Sequence, residues 1–290
     1  MTTQSGATHD TPVRADCTID TDGRIAFTLR PPAAVGSASP RLLLRLRPKK
    51  GQPEKALRHL DLEPSGDGRL RAVLEPSPAL AEGRWDVYLL SEPGEPGERR
   101  RVRPGLRDLR ALVDGQSRDW PAPVAVRVPY ATKDGYLAVR AWLRRAHAEV
   151  EGVEVTDRSM TVRARLHGTT FAEEAAVRLR LRGGDGVVRT LSPRVASDGR
   201  GFSFTMDYGE LATDHGTGTR IWDLSVQPQT QAQPQSAADA PAVRIGRLLD
   251  DVADRKEIFV HPAAVVGDVV VRPYYTVDND LSVEVTAATA

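Results

Sequence analysis

The sequence predicts an all-β fold with two tandem immunoglobulin-like β-sandwich domains related by internal duplication. Apolar and polar residues alternate with a period of two over many short segments, which is typical of half-buried strands. Turn dipeptides such as Asp-Gly separate those segments. The same order of segments then occurs a second time, which favours two copies of one unit. A closed barrel is the alternative architecture.

The first copy follows a polar amino terminus. The alternation at 25–29, directly after the turn dipeptide Asp22-Gly23, predicts its opening strand. Further strands are predicted at 41–47, 70–74, 85–89, 124–128 and 137–141. Leucines recur at helical spacing over 106–113, which predicts a short helical segment there. Asp134-Gly135 predicts the hairpin turn between the last two strands.

The second copy repeats this plan. Its strands are predicted at 160–166, 177–181, 202–206 and 222–226, followed by final strands that end at Val285. Trp85-Asp86 of the first copy matches Trp222-Asp223 of the second, and each tryptophan is expected to anchor a core. A second short helical segment is predicted at 247–254, in the place of the first one.

A chain of 290 residues is long enough for two domains. The predicted organisation is a disordered tail at 1–12, a β-sandwich at 13–147, a second β-sandwich at 148–286 with a low-complexity loop at 227–241, and a tail at 287–290.

The charge balance restricts the possible partners. The chain has 40 basic and 39 acidic residues and a net charge of +1, so no overall field attracts nucleic acid. Cys17 is its one cysteine, which excludes an intramolecular disulfide. We see no signal peptide and no run of about 18 apolar residues. We therefore expect no membrane insertion and a cytoplasmic location, with contact to the inner face of the membrane only through a partner.

The search for catalytic motifs finds none. The sequence has no glycine-rich phosphate loop opening a helix, no Gly-x-Ser-x-Gly, no His-Glu-x-x-His and no Cys-x-x-Cys. Its six histidines do not stand at metal-ligand spacing. We therefore predict no catalytic residue, no cofactor and no metal site, and a protein that is not an enzyme.

Two acidic stretches have structural interpretations. Asp278-Asn279-Asp280 lacks the glycine and the distant glutamate of a calcium loop, so it is interpreted as a hairpin turn. Asp250, Asp251 and Asp254 lie beside basic residues on the predicted helical segment, so they are interpreted as a salt-bridged surface.

Aromatic and arginine residues are the candidates for contact with a partner or a glycan. Aromatic rings stack on sugars, and arginine pairs with phosphate. Core packing of the tyrosines and a solvated sheet face for the arginines, including the similar row at Arg41, Arg45 and Arg47, are the alternatives. The candidate residues are Tyr130, Tyr136, Tyr274, Tyr275, Arg178, Arg180 and Arg182.

The carboxyl-terminal motifs resemble those of a known family. They are Trp222-Asp223-Leu224, the stretch 249–256, the stretch 271–276 and the stretch 279–283. The chain looks like the non-catalytic β-rich modules of actinobacterial cell-envelope glycosyltransferases and of CDP-glycerol glycerophosphotransferases, which act in teichoic-acid-type synthesis. The resemblance is weaker over 85–139. Because the catalytic domains of that family have no counterpart in this sequence, it implies an accessory role.

Three functions follow as hypotheses. The first is a non-enzymatic accessory or scaffolding protein that binds a partner in cell-wall glycopolymer synthesis, such as a cell-envelope glycosyltransferase. The second is a module that binds a carbohydrate or a polyanionic glycopolymer. The third is a glycosyl- or glycerophosphotransferase in its own right.

Overall fold

The computed structural model describes residues 12–30, 40–48, 50–54, 56–90, 99–115, 119–172, 175–184, 186–213, 218–228 and 242–288. Most of the predicted tail at 1–12, the predicted loop from 229 onward, and residues 289–290 lie outside the described residues.

Contacts between Cα atoms divide the chain into two compact units. Unit 1 comprises 1–116 and 125–143, and unit 2 comprises 117–124 and 144–290. The main division therefore lies close to the end of the predicted first domain, and the short segment 117–124 belongs to the second unit.

The first unit is built from strands. In chain order they are β1 (Arg14–Ile19), β2 (Ile25–Leu29), β3 (Arg41–Leu46), β4 (Leu57–Asp61), β5 (Glu63–Ser65), β6 (Arg69–Leu74), β7 (Gly83–Leu90), β8 (Arg99–Arg101), β9 (Arg103–Asp108), β10 (Val124–Ala131) and β11 (Leu137–Arg144). A 3-10 turn at Gly66–Gly68 and the helix α1 (Arg110–Asp114) complete it.

The second unit has the strands β12 (His147–Val155), β13 (Ser159–His167), β14 (Ala176–Leu181), β15 (Val188–Leu191), β16 (Arg194–Val195), β17 (Gly201–Asp207), β18 (Arg220–Gln227), β19 (Val243–Gly246), β20 (Ala264–Val266), β21 (Val269–Tyr275) and β22 (Leu281–Ala287). The helix α2 (Tyr208–Ala212) follows β17.

The strands pair in the same order in both units. One sheet of unit 1 has the order β5-β6-β2-β1-β9, and unit 2 has β16-β17-β13-β12-β19. The other sheet has the order β10-β11-β7-β3-β4 in unit 1 and β21-β22-β18-β14-β15 in unit 2, where β20 extends it beyond β21. The sheets of unit 2 are joined because β19 pairs parallel to β12 and antiparallel to β18.

Alternate strand residues fill the cores, as the period-two pattern predicts. In unit 2 the core cluster takes side chains from both sheets, including Val162 and Leu179. Trp85 and Trp222 are only 3% and 1% exposed, which confirms that each tryptophan lies in a core. The described residues thus form an all-β protein, as predicted.

The helical predictions are only partly right. The short helix of unit 1 forms as α1, at the end of the predicted segment. The helix predicted at 247–254 is wrong, since that stretch consists of bends and irregular backbone. The helix of unit 2 is instead α2, where the Asp207 carboxylate accepts a hydrogen bond from the Gly209 N–H as an N-cap.

Candidate functional site

The outer face of one sheet in unit 2 brings together residues that are far apart in the sequence. In the strand ladder Arg180 stands opposite Asp223, Asp223 opposite Ser282, and Ser282 opposite Tyr274. Residues directly opposite on antiparallel strands project to the same face. The four side chains therefore form one row across β14, β18, β22 and β21, about 14 Å long at the usual strand spacing.

A second row lies beside the first. Arg178 stands opposite Ser225 on β18, and Ser225 stands opposite Arg244 on β19. Arg182 continues the β14 side, where its N–H donates to the Ile221 carbonyl at 2.8 Å. The predicted arginine row thus lies on one face, and Arg244, which the sequence reasoning missed, joins it.

Except for Tyr274, these residues line a groove of about 540 Å³, which we call the arginine groove. Its walls include Arg178, Arg180, Arg182, Val188, Asp223, Ser225, Arg244, Asp278, Asp280 and Ser282. Both arginines and carboxylates line it, so the net charge of the groove depends on which arginines form ion pairs with these carboxylates.

Ion pairs neutralise only part of the groove. The guanidinium of Arg182 binds both carboxylate oxygens of Asp223, with Nε 3.1 Å from Oδ2. The Asp280 carboxylate forms ion pairs with the guanidinium groups of Arg244, at 3.1 Å, and of the buried Arg144, at 2.8 Å. Arg178 and Arg180 make no ion pair with any residue that the structure describes. The groove therefore carries positive charge that the surrounding acidic groups do not compensate.

The two adjacent tyrosines of β21 face opposite ways. Tyr274 lies on the outer face, half-buried, and lines a smaller groove of about 320 Å³ that shares Arg182 with the arginine groove. Burial raises the pKa of the Tyr274 phenol, so this phenol is protonated at neutral pH. Tyr275 is 3% exposed and packs in the core, with its ring centroid 6.4 Å from that of Phe259. Of this pair, only Tyr274 lies on the surface.

The candidate tyrosines of unit 1 have other surroundings. The ring of Tyr136 lies under the guanidinium groups of Arg101 and Arg103, at 4.0 and 5.1 Å from its centroid. Tyr130 is half-buried, and its hydroxyl has no hydrogen-bond partner. Tyr130 and Tyr136 belong to unit 1, whereas Tyr274 and the arginine groove belong to unit 2.

The arginine row at Arg41, Arg45 and Arg47 is neutralised, unlike that of unit 2. Arg41 pairs with Asp61 at 2.7 Å, and Arg45 pairs with Glu54 at 3.0 Å. Asp86, which is 3% exposed, forms ion pairs with Arg45, Arg47 and Arg101. These arginines therefore serve mainly to compensate acidic groups of the same face.

A buried polar network fastens residues 247–256, which we call the anchored segment. The N–H groups of Leu248 and Leu249 donate to the Glu149 carboxylate at 2.8 and 3.1 Å. His147 lies 2.8 Å from the same carboxylate, and burial raises the pKa of Glu149 to about 7. The Glu149 carboxylate, in contact with the fully buried His147, thus holds the backbone at Leu248 and Leu249 through hydrogen bonds.

One carboxylate that was predicted to lie on the surface is buried. Asp250 is 4% exposed and binds Arg255, which is 0% exposed, so the predicted salt-bridged surface is wrong at these positions although the ion pair exists. The predicted hairpin turn at 278–280 is confirmed, since Asn279 has a φ of 60° and the Thr276 N–H donates to the Asp280 carbonyl.

Across the described residues, no helix is long and apolar enough to cross a bilayer. Within the same ranges, no group of three or more His, Cys, Asp or Glu side chains is placed to hold a metal ion.

The class that these observations define is an all-β protein with a basic, partly unpaired sheet face in unit 2. No protein-family model matches the chain, and no curated protein matches it in sequence. Among solved structures it is similar to crystal structures of TarS from S. aureus.

The match to TarS 217–571 has a TM-score of 0.32 at 15% identity and covers 66% of this chain and 54% of that one. The match to TarS has a TM-score of 0.29 at 15% identity and covers 73% of this chain and 38% of that one. The chain thus spans about half, or less, of these two structures. At these scores the likeness assigns no function to it.

Proposed function

We propose that the chain is a non-enzymatic accessory protein whose unit 2 binds an anionic glycopolymer. The observation that carries the proposal is the pair Arg178 and Arg180, which make no ion pair with any described residue and lie in the arginine groove. Guanidinium groups bind phosphate with two parallel hydrogen bonds, and two such groups on one strand suit successive phosphates of a polymer. A teichoic-acid-type polymer is a ligand of this kind, and the modules that the sequence resembles belong to enzymes of its synthesis.

The position of Tyr274 supports a ligand that carries sugar or polyol units as well as phosphate. Its ring lies on the same row as Arg180, about 14 Å away across the sheet. Aromatic rings present a flat apolar surface to the carbon–hydrogen faces of sugars. A polymer that crosses the face would place charged groups near the arginines and an uncharged unit near the ring.

The lining chemistry favours binding over turnover. The groove carboxylate Asp223 is occupied by Arg182 and by the Ser282 hydroxyl, which donates to it at 2.9 Å. A carboxylate held in this way is a poor general base, because its ionised form is stabilised by the partners it already has. The acid–base pair His147 and Glu149 is buried away from both grooves.

The common order of strand pairing supports an origin by duplication of one immunoglobulin-like unit. In this proposal the sheet face of the second copy remains available for a ligand. In the first copy the equivalent arginines, Arg41, Arg45 and Arg47, are neutralised by ion pairs. We further propose a cytoplasmic location and a partner in cell-envelope polymer synthesis, such as a glycosyltransferase, that brings the chain to the inner face of the membrane.

Binding of poly(glycerol phosphate) to the purified full chain tests the proposal. The double variant Arg178→Gln/Arg180→Gln removes two positive charges from the groove, and we expect its affinity to fall at least about tenfold. The matched control is Arg158→Gln/Arg194→Gln, which removes two exposed arginines of the same unit elsewhere. The control is expected to bind as the wild type does.

Equal affinity in both double variants, or no binding by the wild type, would contradict the proposed ligand. The enzyme alternative is tested in the same samples by adding CDP-glycerol or nucleotide-activated sugars. Release of free nucleotide above that of a heat-treated sample would show a transferase and would overturn the non-enzymatic role.

A further inference from the structure

Residues 258–260 form an exposed apolar run beside the outer sheet face of unit 2. Ile258 and Val260 are 66% and 75% exposed, and Phe259 is 37% exposed. Val260 pairs with Tyr274 in an isolated antiparallel bridge, so the run lies along the edge of β21, next to the outward-facing tyrosine. Contiguous apolar residues on a surface, bordered by polar groups, are typical of a binding site.

The core of unit 2 fixes the position of this run. The N–H groups of Ile258 and Phe259 both donate to the carbonyl of Arg255, at 3.0 and 2.9 Å. Arg255 is 0% exposed, and its guanidinium lies 4.8 Å from the centroid of the Phe259 ring. A surface that is fixed in this way exists before a ligand arrives, so little side-chain freedom is lost on binding.

Phe259 and Val260 form one wall of the smaller groove of unit 2, which we call the tyrosine groove. Its floor is the sheet face, where Glu284 stands between Ile221 and Arg272 in the strand ladder. The volume of about 320 Å³ lies at the lower end of the usual range for small-molecule sites, about 300–1,000 Å³, and suits a ligand with a single ring. The apolar part of its lining comes from Ile221, Phe259, Val260, Pro273 and Tyr274.

The charged side chains of the tyrosine groove are mostly paired. Arg182 binds Asp223, and Arg272 binds Oε2 of Glu284 at 2.6 Å, which leaves Oε1 of that carboxylate for another donor. Lys256 also lines the groove, but it is exposed, and an exposed ammonium is strongly hydrated. The lining therefore attracts a charged ligand only weakly and favours an uncharged one.

His261 supplies a neutral polar group on the lining. Its ring packs against Tyr275, with 5.8 Å between the centroids. Its Nε2 is buried without a hydrogen-bond partner among the described residues, so Nδ1 is the nitrogen that a ligand can reach from the groove. Burial lowers the pKa of His261, so the imidazole is neutral at neutral pH, and each nitrogen is a donor or an acceptor according to the tautomer. A hydroxyl group suits both tautomers, because it donates and accepts.

We propose that the tyrosine groove binds one uncharged hexopyranose unit, with a face of the sugar ring against Tyr274 and Phe259 and a hydroxyl on Nδ1 of His261. A sugar ring has C–H groups on its faces and hydroxyls around its edge, which matches apolar side chains bordered by neutral polar ones. The tyrosine groove shares Arg182 with the arginine groove, so a sugar carried by a polymer in one groove would reach the other. This link to a polymer rests on the proposed function, whereas binding of a free sugar does not.

Nuclear magnetic resonance of the isotope-labelled full chain with added methyl glycosides tests the site. The probes are the methyl pyranosides of glucose, galactose and mannose, in both anomeric forms. We expect at least one of them to bind and to shift backbone amide signals of 256–261 and 271–275. Binding of none of these glycosides, or shifts that lie outside these two stretches, would overturn the site.

Two variants separate binding from folding. His261→Phe keeps a flat ring against Tyr275 but has no nitrogen, and we expect it to weaken glycoside binding about fivefold while the Tm of the ligand-free protein is unchanged or higher. Tyr274→Ala removes the aromatic surface and is also expected to weaken binding about fivefold. The matched control is His59→Phe, which replaces an exposed histidine of unit 1 and should bind as the wild type does. Undiminished affinity in either His261→Phe or Tyr274→Ala would contradict the proposed contacts.

Methyl glucuronide tests the uncharged character of the ligand. It carries a carboxylate on the same kind of ring as methyl glucoside. Because the arginines of the tyrosine groove are already paired, we expect the glucuronide to bind no more tightly than the glucoside. Tighter binding of the glucuronide would contradict an uncharged ligand.

The free sugar and the polymer are distinguished with the Arg178→Gln/Arg180→Gln variant, which should bind the glycoside as the wild type does. In the wild type, poly(glycerol phosphate) that carries the bound sugar as a substituent is expected to bind more tightly than the bare polymer, and His261→Phe should abolish this difference. Binding of a glycoside without binding of either polymer would support the sugar site and remove the proposed function. Binding of the bare polymer without binding of any glycoside would overturn the sugar site and leave the proposed function.

Discussion

Asn279 shows how one side chain connects a turn to a distant segment. It is fully buried at a φ of 60°, and its side-chain oxygen Oδ1 accepts a hydrogen bond from the Arg255 N–H at 3.1 Å. Its amide group donates to the Val252 carbonyl at 3.0 Å. The corresponding hairpin turn of unit 1 has Gly135 with a φ of 75°. Asn279 therefore combines the backbone conformation of that glycine with two bonds that glycine cannot make.

Replacing Asn279 should separate these two contributions. Asn279→Ala loses both hydrogen bonds and keeps a strained backbone, and we expect a loss of about 3 kcal/mol in the free energy of unfolding. Asn279→Gly loses the bonds but relieves the strain, so it should be about 1 kcal/mol more stable than the alanine variant. Urea unfolding measures both. Equal stability of the two variants would contradict the role given to the positive φ.

His167 makes the stability of unit 2 sensitive to acid. Burial, followed by the nearby His147, lowers the pKa of His167 to about 4 from its usual 6.5. The unfolded chain thus binds more protons than the folded chain between these values. Protonation of His167 therefore does not reduce the free energy of unfolding above pH 6.5. As the pH falls from 6.5 toward 4, the free energy of unfolding decreases by about 3 kcal/mol at most.

His167→Gln should remove that acid sensitivity. Glutamine does not titrate, and its side-chain oxygen can still accept the Trp120 N–H that now donates to His167 at 3.4 Å. We expect the free energy of unfolding to fall less between pH 7 and pH 4.5 in the variant than in the wild type. Parallel pH profiles for the two proteins would show that His167 has no such role.

At the scale of the element, the anchored segment is fixed by side chains from elsewhere in the chain. The backbone N–H groups of Leu248 and Leu249 donate to the Glu149 carboxylate, about 100 residues earlier in the chain. Burial raises the pKa of Glu149 to about 7, since desolvation outweighs the donors that favour its charged form. The segment keeps its shape only while those long-range bonds are made.

Glu149→Gln should loosen the segment locally. The amide NH₂ of glutamine would face a backbone N–H, so one donor would lose its partner at a cost of about 1–3 kcal/mol. We expect faster amide hydrogen exchange at Leu248 and Leu249, with unchanged exchange in the middle of β13. Equal acceleration throughout unit 2 would indicate global destabilisation and contradict a local role.

The strands were predictable because the alternation of apolar and polar side chains is a property of neighbouring residues. The positions of β2, β3, β14 and β18 follow from it directly. The irregular backbone at 247–254 could not be predicted from the local sequence. It depends on hydrogen bonds to Glu149, which is remote in sequence. The composition of the site could not be predicted either, because it depends on strand register. Register places Tyr274 on the outer face with Arg180 and brings Arg244 to the groove.

At the scale of the whole molecule, recognition must be local. With a net charge of +1, the chain has no overall field to attract a polyanion. The uncompensated charge of Arg178 and Arg180 acts over about one Debye length, roughly 8 Å in physiological salt. A ligand would therefore be held by direct contacts on one sheet face, and most of the surface would not take part.

Hydrogen-exchange footprinting of the full chain with poly(glycerol phosphate) tests this central claim most directly. We predict that the polymer slows exchange in β14, β18 and the hairpin between β21 and β22, whose side chains form the arginine groove and the row to Tyr274. A footprint that leaves these strands unchanged and appears on other surfaces, or no footprint at saturating polymer, would contradict the account.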